Sequence, residues 1–208
     1  MIKIECQQGT QEWKDARLGL ITASRVKDAL GKGVKGGWLA GRDKYRAQLA
    51  FEIATGQASE DVYANYAMRR GTELEPAAIG CYEARQGVLV ERAGLLATDD
   101  RLVGYSPDGL VDDDGLVEIK CPLGDQFAKC VDGDGAEDYR FQMLTGLLVA
   151  GRKWIDLGVY SPCRDGSEIL WTKRLEADPA ELATLEKDLR EFRAEVDDLA
   201  AKIAKWRR

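Results

Sequence analysis

The chain of 208 residues is 45% hydrophobic and 32% charged, with 36 acidic against 30 basic side chains. That composition suits one globular domain with a sizeable core, and argues against a disordered segment or a generic polyanion binder. The chain contains no histidine, which excludes Ser-His-Asp triads, Cys-His proteases, HExxH zinc sites, His-finger nucleases and zinc deaminases, and leaves acid–base work to carboxylates, Lys, Tyr, metals or water.

The predicted elements begin with a short helix over Gln11–Arg17 capped by Thr10, and a second capped by Thr22 that runs to Ala29 or Leu30. Gly31 to Gly41, with Lys32, Lys35 and Trp38, reads as a mobile basic loop. Helices follow over Asp43–Thr55, stopped by Gly56, and over Glu73–Gln86, stopped by Gly87, with Pro76 in the first turn. Val88–Ala97 reads as a strand. Leu102–Val111 and Leu116–Cys121 form a hairpin around Asp112 to Gly115. Gly124–Cys130 and Glu137–Ala150 are helical, Trp154–Tyr160 and Glu168–Leu175 extended, and a long helix runs from Asp178 or Pro179 to Trp206. The fold class is α/β, a mixed central sheet flanked by helices. The expected organisation is one domain over 1–208, with a helical region 9–87, a sheet core 88–175 and a C-terminal helix 178–206.

Cys6, Cys81, Cys121, Cys130 and Cys163 are odd in number and form no CxxC, so they read as small buried hydrophobes in a reducing cytoplasm. No apolar run approaches the ~18 residues of a membrane span, and Met1 to Thr10 has no secretory-signal pattern. Charge is uneven: residues 61–140 hold 17 Asp or Glu against 8 Lys or Arg, while residues 1–60 hold 7 against 10. A solvated acidic surface and a cation-binding carboxylate cluster both account for that excess.

Chemistry concentrates in Ser106–Pro122. On a strand, Leu116, Glu118 and Lys120 share one face while Val117 and Ile119 point into apolar packing. A carboxylate and an ammonium in a buried strand are costly unless paired or bound to metal, and the hairpin returns Asp108 towards Glu118. Taken singly, Asp108 is a turn residue and Glu118 with Lys120 a cross-strand ion pair. Asp132-Gly133-Asp134-Gly135 starts like a calcium loop, but Ala136 and Met143 stand where ligands are needed. The run Asp112–Asp114 reads as a turn. Leu182, Leu185, Leu189, Phe192, Val196, Leu199, Ile203 and Trp206 form a seam read as packing on the chain's own domain in preference to a coiled coil. The five tryptophans read as core.

RLGLITAS (Arg17–Ser24), GTELEP (Gly71–Pro76), YSPDGL (Tyr105–Leu110), EIKCP (Glu118–Pro122) and Tyr139 with Gln142 occur in that order. Together they resemble the phage lambda-type, or YqaJ-type, alkaline exonucleases of the PD-(D/E)XK nuclease fold, over about Trp13 to Tyr160. The resemblance implies Asp108, Glu118, Glu75 and the main-chain carbonyl of Ile119 as metal ligands. It implies Lys120 as the residue that orients the attacking water, and Tyr139 and Gln142 as neighbours of the active centre. Arg17, Ser24 and Ser106 would form a 5′-phosphate pocket in the 9–87 region and beside it, Met68 an apolar wedge at the duplex end, and Lys32 and Lys35 DNA contacts. Leu144 stands where the family often has a second Gln.

The implied activity is 5′→3′ digestion of one strand of linear double-stranded DNA to mononucleotides, leaving a 3′ strand for recombination by annealing. Two Mg²⁺ ions per site, replaceable by Mn²⁺, are implied, since hard oxygen donors favour these over zinc. A homotrimeric ring, a single-strand annealing partner and no membrane association complete the expectation. The rivals are a PD-(D/E)XK endonuclease or single-strand exonuclease, a catalytically silent DNA-end-binding module, and a carboxylate-pair glycosidase, which needs neither metal nor Lys120.

Overall fold

In the computed structural model, which describes residues 1–59, 66–133 and 135–207 and all their side chains except those of Ala67 and Met68, strand β1 (Ile2–Ile4) leads into α1 (Gln11–Ala16). Thr10 caps α1 as expected, its hydroxyl accepting the Trp13 amide at 3.3 Å. Thr22 does not cap a helix. It ends β2 (Ile21–Thr22), its amide donates to the Tyr45 hydroxyl at 3.0 Å, and a 3₁₀ turn (Ala23–Arg25) intervenes before the five-residue α2 (Val26–Leu30). Sheet pairing has claimed the residue that local chemistry offered to a cap. The glycine-rich loop is folded on itself: Leu39 donates to Gly31, Gly33 to Gly37 and Gly36 to Gly33, with Lys32 opposite Trp38. Next, α3 (Gly41–Thr55) stops at Gly56, whose φ of +69° is the left-handed conformation that suits glycine.

Helix α4 (Tyr66–Gln86) begins earlier than expected, so Pro76 lies inside it and not in its first turn. Pro76 cannot donate to the carbonyl four residues back, but it is exposed, and both halves of the helix are tied down. Arg70 donates to the carbonyls of Cys121 and Pro122, and Arg85 to those of Glu168 and Leu170.

The strands divide between two mixed sheets. The expected strand 88–97 splits into β3 (Val90–Glu91) and β4 (Leu95–Ala97), and 102–111 splits into β5 (Val103–Tyr105) and β6 (Gly109–Val111). After β7 (Gly115–Lys120) come α5 (Gly124–Asp132), a 3₁₀ turn (Gly135–Tyr139), α6 (Arg140–Ala150), β8 (Trp154–Pro162), β9 (Glu168–Glu176) and α7 (Pro179–Ala204). One sheet has the order β1-β4-β5-β2, with β2 and β5 parallel; the other has β3-β6-β7-β8-β9, with β7 and β8 parallel. Pro107 has no N–H for a ladder. At Gly94 a Cβ would lie 2.4 Å from the Ile4 carbonyl oxygen. At these two short crossings, Arg92–Gly94 and Ser106–Asp108, the chain passes directly from one sheet to the other.

Helix α6 packs between the sheets, with Met143, Leu144 and Leu147 against Leu96, Tyr105, Leu116 and Leu157. Helix α4 covers the opposite face of the five-stranded sheet, with Ala78, Ile79 and Tyr82 against Val117, Ile119 and Tyr160. The alternation read along β7 is therefore real: Leu116 belongs to one layer, Val117 and Ile119 to the other. The seam on α7 packs on its own chain through Leu185, Leu189, Phe192 and Val196, while Trp206 at its end is exposed. Trp13, Trp154 and Trp171 are half-buried and pack against the core as expected, Trp38 and Trp206 are exposed, and of the cysteines only Cys81 and Cys130 are fully buried. Among the described residues no helix is long and apolar enough to cross a membrane.

Candidate active site

Glu118 is 1% exposed in the middle of the interior, and its carboxylate is surrounded by donors. Its Oε1 accepts from Lys120 Nζ at 2.6 Å and from Gln142 Nε2 at 2.5 Å, and its Oε2 accepts from the Tyr105 hydroxyl at 3.0 Å. Asp108, 9% exposed, sits in the crossing just before β6 and not within a strand. The Ile119 amide donates to its Oδ2 at 2.7 Å, which fixes Asp108 beside Glu118. The Ile119 N–H makes this contact, while its carbonyl is the group expected to reach a metal.

Two carboxylates thus face one ammonium away from water. Burial first, and then the charge of Glu118, push the Asp108 carboxyl well above its usual value; Lys120 and the Ile119 amide offset only part of this. Burial works against the Lys120 ammonium, yet Glu118 and Asp108 more than compensate and raise it. The Lys120 Nζ lies 5.6 Å from the centre of the Tyr139 ring. Gln142 and Tyr139 border the site as expected, Gln142 from the first turn of α6 and Tyr139 from the 3₁₀ turn ahead of it. Leu144 is buried in the core beneath, where a Gln would need partners of its own.

Glu75 reaches this region from α4: its charge raises Asp108 further, but its carboxylate is held by Arg92 from the other crossing. Among the described residues no three His, Cys, Asp or Glu side chains converge as a metal cluster, so the expected trio of acids is here a pair with Glu75 held alongside. The pair still suits a hard divalent cation. Both members are oxygen donors, both are buried, and a divalent cation would supply the counter-charge that a single Lys120 leaves short when both are ionised.

Beyond Asp108, Ser106 accepts the Trp13 indole N–H at 2.8 Å, and the Arg17 guanidinium lies 3.9 Å over the Trp13 ring. Gln8 donates to the Pro107 carbonyl at 3.1 Å, tying the N-terminal segment to the same crossing. Arg17 makes no ion pair among the described residues; burial lowers its pKa, with Tyr45 and Glu52 acting in the other direction. Arg17 forms no surface pair with Glu12 or Asp15, and Asp15 accepts from Gln11 at 2.8 Å. Ser24 is exposed in the 3₁₀ turn, and the turn and α2 are both too short to supply a helical anion-binding end. Lys32 and Lys35 are exposed on the folded loop; Lys32 lies 5.2 Å from the Trp38 ring. The Met68 side chain lies outside the described residues.

Three participants escaped the sequence reading. Tyr105 stood inside YSPDGL without a role, Trp13 was assigned to the core, and Arg92 carried no signal at all. Tyr105 and Trp13 were legible as residues adjoining motif positions; the Arg92–Glu75 pair was not.

The fold has a counterpart in known proteins. Residues 12–153 match the model of the YqaJ-like viral recombinase domain. The chain belongs to that family. Among solved structures it is similar to an alkaline exonuclease from Laribacter hongkongensis, at 36% identity and a TM-score of 0.81, with 94% of this chain and 97% of that one covered. The same figures hold for that exonuclease in complex with dAMP. A phage-related exonuclease from Haemophilus somnus 129PT shares the fold, with a TM-score of 0.65 at 14% identity over 89% of this chain and 95% of that one. No curated protein sequence matches. This YqaJ-family chain thus shares its fold with solved exonucleases.

Proposed function

We propose that the protein is an Mg²⁺-dependent 5′→3′ exonuclease on linear double-stranded DNA. It releases mononucleotides and leaves a 3′ single strand for recombination by strand annealing. The observation that carries this reading is the buried pair Asp108 and Glu118 facing a single Lys120 in a chain of this family. Asp108 and Glu118 would hold the cation, with Mn²⁺ able to substitute; a second ion would draw on Glu75, now bonded to Arg92. A bound divalent ion supplies Lewis acidity and stabilises charge developing on the phosphate.

The chain's own residues do the rest. Lys120, held at Glu118 in its charged form, places a positive charge where the phosphate gains negative charge. Gln142 fixes the Glu118 carboxylate. Arg17, stacked and without an ion pair among the described residues, presents a guanidinium fork that matches a 5′-phosphate. Ser106 belongs both to that pocket and to the crossing that bears Asp108. Each cut that leaves a phosphate on the new 5′ end regenerates the group that this pocket recognises, which supports digestion in one direction. Lys32, Lys35 and Met68 would meet the duplex outside the site. A homotrimeric ring would bring basic residues around DNA in a chain of net negative charge, with a single-strand annealing protein as partner.

The test is a time course on 5′-phosphorylated linear duplex labelled at either end, with Mg²⁺ or with chelator. Loss of 5′ label as mononucleotide, with the complementary strand intact and no cleavage in chelator, is the expected result. Internal cuts in circular DNA would instead support the endonuclease reading.

A further inference from the structure

We infer that Tyr105 is a positioning residue for the metal-binding carboxylate Glu118, a role that rests on the reading just proposed. Tyr105 is 1% exposed, and its hydroxyl donates to Glu118 Oε2 at 3.0 Å. A buried tyrosine hydroxyl needs a partner; this one has taken an oxygen of the one carboxylate whose orientation matters most for the chemistry. The residue comes from the other sheet. Tyr105 ends β5, one residue before the crossing to Asp108, whereas Glu118 lies on β7 in the five-stranded sheet.

The fold makes room for the ring on purpose-built backbone. At Gly146 on α6 a Cβ would stand 2.8 Å from Tyr105 Cζ and 2.9 Å from Cε1, so α6 presses directly on the phenol. One turn earlier the same helix supplies Gln142, which donates to the opposite oxygen, Oε1. The ring and the amide therefore grip the carboxylate from the two sides, and a shift of α6 would disturb both.

The division of donors also has a chemical consequence. Oε1 shares its charge with the Lys120 ammonium, while the donor that the structure gives Oε2 is neutral. A neutral donor orients a carboxylate without cancelling its charge, which keeps Oε2 available to a cation. An ammonium or guanidinium at position 105 would cancel it. Partners of this kind around metal ligands typically change metal affinity or activity by about 10–100-fold when lost.

The experiment compares wild type with Tyr105→Phe, which removes the hydroxyl and keeps the ring that Gly146 accommodates. Mn²⁺ binding is measured calorimetrically without DNA, and cleavage of 5′-phosphorylated duplex is followed across a Mg²⁺ titration. The expected result is weaker Mn²⁺ binding by about 10–100-fold, a matching rise in the Mg²⁺ needed for half-maximal rate, recovery of most of the rate at high Mg²⁺, and an unchanged KM for DNA at saturating metal. Gly146→Ala, which crowds the ring without touching the carboxylate, should shift the metal requirement in the same direction. A folded Tyr105→Phe enzyme with wild-type Mn²⁺ affinity and Mg²⁺ requirement overturns the inference and leaves the proposed activity standing. A wild type that binds no divalent ion overturns both. Should Tyr105→Phe fail to fold, Gly146→Ala decides: wild-type metal affinity in that folded variant overturns the role.

Discussion

Arg174 and Arg17 each lie over a tryptophan ring, and their settings differ in one respect. Arg174 sits 3.6 Å over Trp154 and donates to both oxygens of Asp156, at 2.7 and 2.8 Å; Arg17 sits 3.9 Å over Trp13 and has no ion pair among the described residues. The carboxylates repeat the contrast on neighbouring strands. Asp156 pairs in register with Val117, one residue from Glu118, but faces α4. There it accepts the Tyr82 hydroxyl at 2.7 Å as well, so one buried charge meets one counter-charge and its remaining bonding is satisfied. On the other face Asp108 and Glu118 share a single lysine. A structural ion pair closes on itself, whereas the region around Glu118 and Arg17 leaves one cationic and one anionic requirement open, as a polyanionic substrate and its metal would need.

The strongest way to break this comparison is to remove the open charges. Asp108→Ala, Glu118→Ala and Lys120→Ala should each lower cleavage by at least about 10²–10³-fold, and double variants should lose little more because all three serve one transition state. Asp108→Asn should abolish cleavage while leaving the melting temperature of the metal-free protein equal or higher, since it relieves repulsion between buried carboxylates. Single-turnover rates and calorimetry check both; near wild-type turnover in folded Glu118→Ala would end the metal assignment.

Arg17 comes next. Losing a charged hydrogen bond to phosphate costs about 1.5–3 kcal/mol, so Arg17→Ala should erase most of the preference for 5′-phosphoryl over 5′-hydroxyl ends while slow metal-dependent cleavage persists. Initial rates on the two substrates measure this, and a preference equal to wild type would place the phosphate pocket elsewhere.

The closed pair should behave in the opposite way. Asp156→Ala strands the buried Tyr82 hydroxyl and one face of Arg174; because Arg174 is 47% exposed and can rehydrate, the loss should be about 2 kcal/mol rather than that of a fully buried break. Denaturant titration should show it, with the cleavage rate per folded molecule unchanged.

The smallest effect concerns Arg42 and Glu195, which join α3 to α7 through two hydrogen bonds of 2.7 and 2.9 Å. The bond from Arg42 holds the Glu195 carboxyl below its ordinary value. A depressed carboxyl contributes stability that is fully present above its unfolded pKa and is lost as pH falls through the folded one. Glu195→Gln should therefore cost about 1 kcal/mol at neutral pH, limited by the 42% exposure of Glu195. That difference should vanish in acid, and a difference that persists below pH ~3 would assign it to packing.

Particular residues show what was legible. The period-two pattern of Leu116 to Lys120 placed Glu118 and Lys120 on one face, and they are bonded there. The stops at Gly56 and Gly87 and the start at Pro179 fell where short-range chemistry put them. Thr22 failed because its cap propensity competed with a strand pairing 82 residues away in sequence, to Gly104 on β5. Ser24 lost its helix end for the same reason.

What the amino-acid sequence determined by itself was much of what depends on neighbours within a turn or on alternation along a strand: the caps at Thr10 and Asp178, the helix stops, the Glu118–Lys120 face, and a chemistry without histidine. The tertiary structure decided which sheet each half-strand joined, and so turned Arg92–Gly94 and Ser106–Asp108 into crossings that carry the site. It also chose the partners: Tyr105 for Glu118 at a separation of 13 residues, Arg92 for Glu75 at 17, and Trp13 for Ser106 at 93. Those meetings depend on how α6 and α4 pack against the sheets, and packing is a property of all the buried surfaces together, which no short stretch of chain encodes.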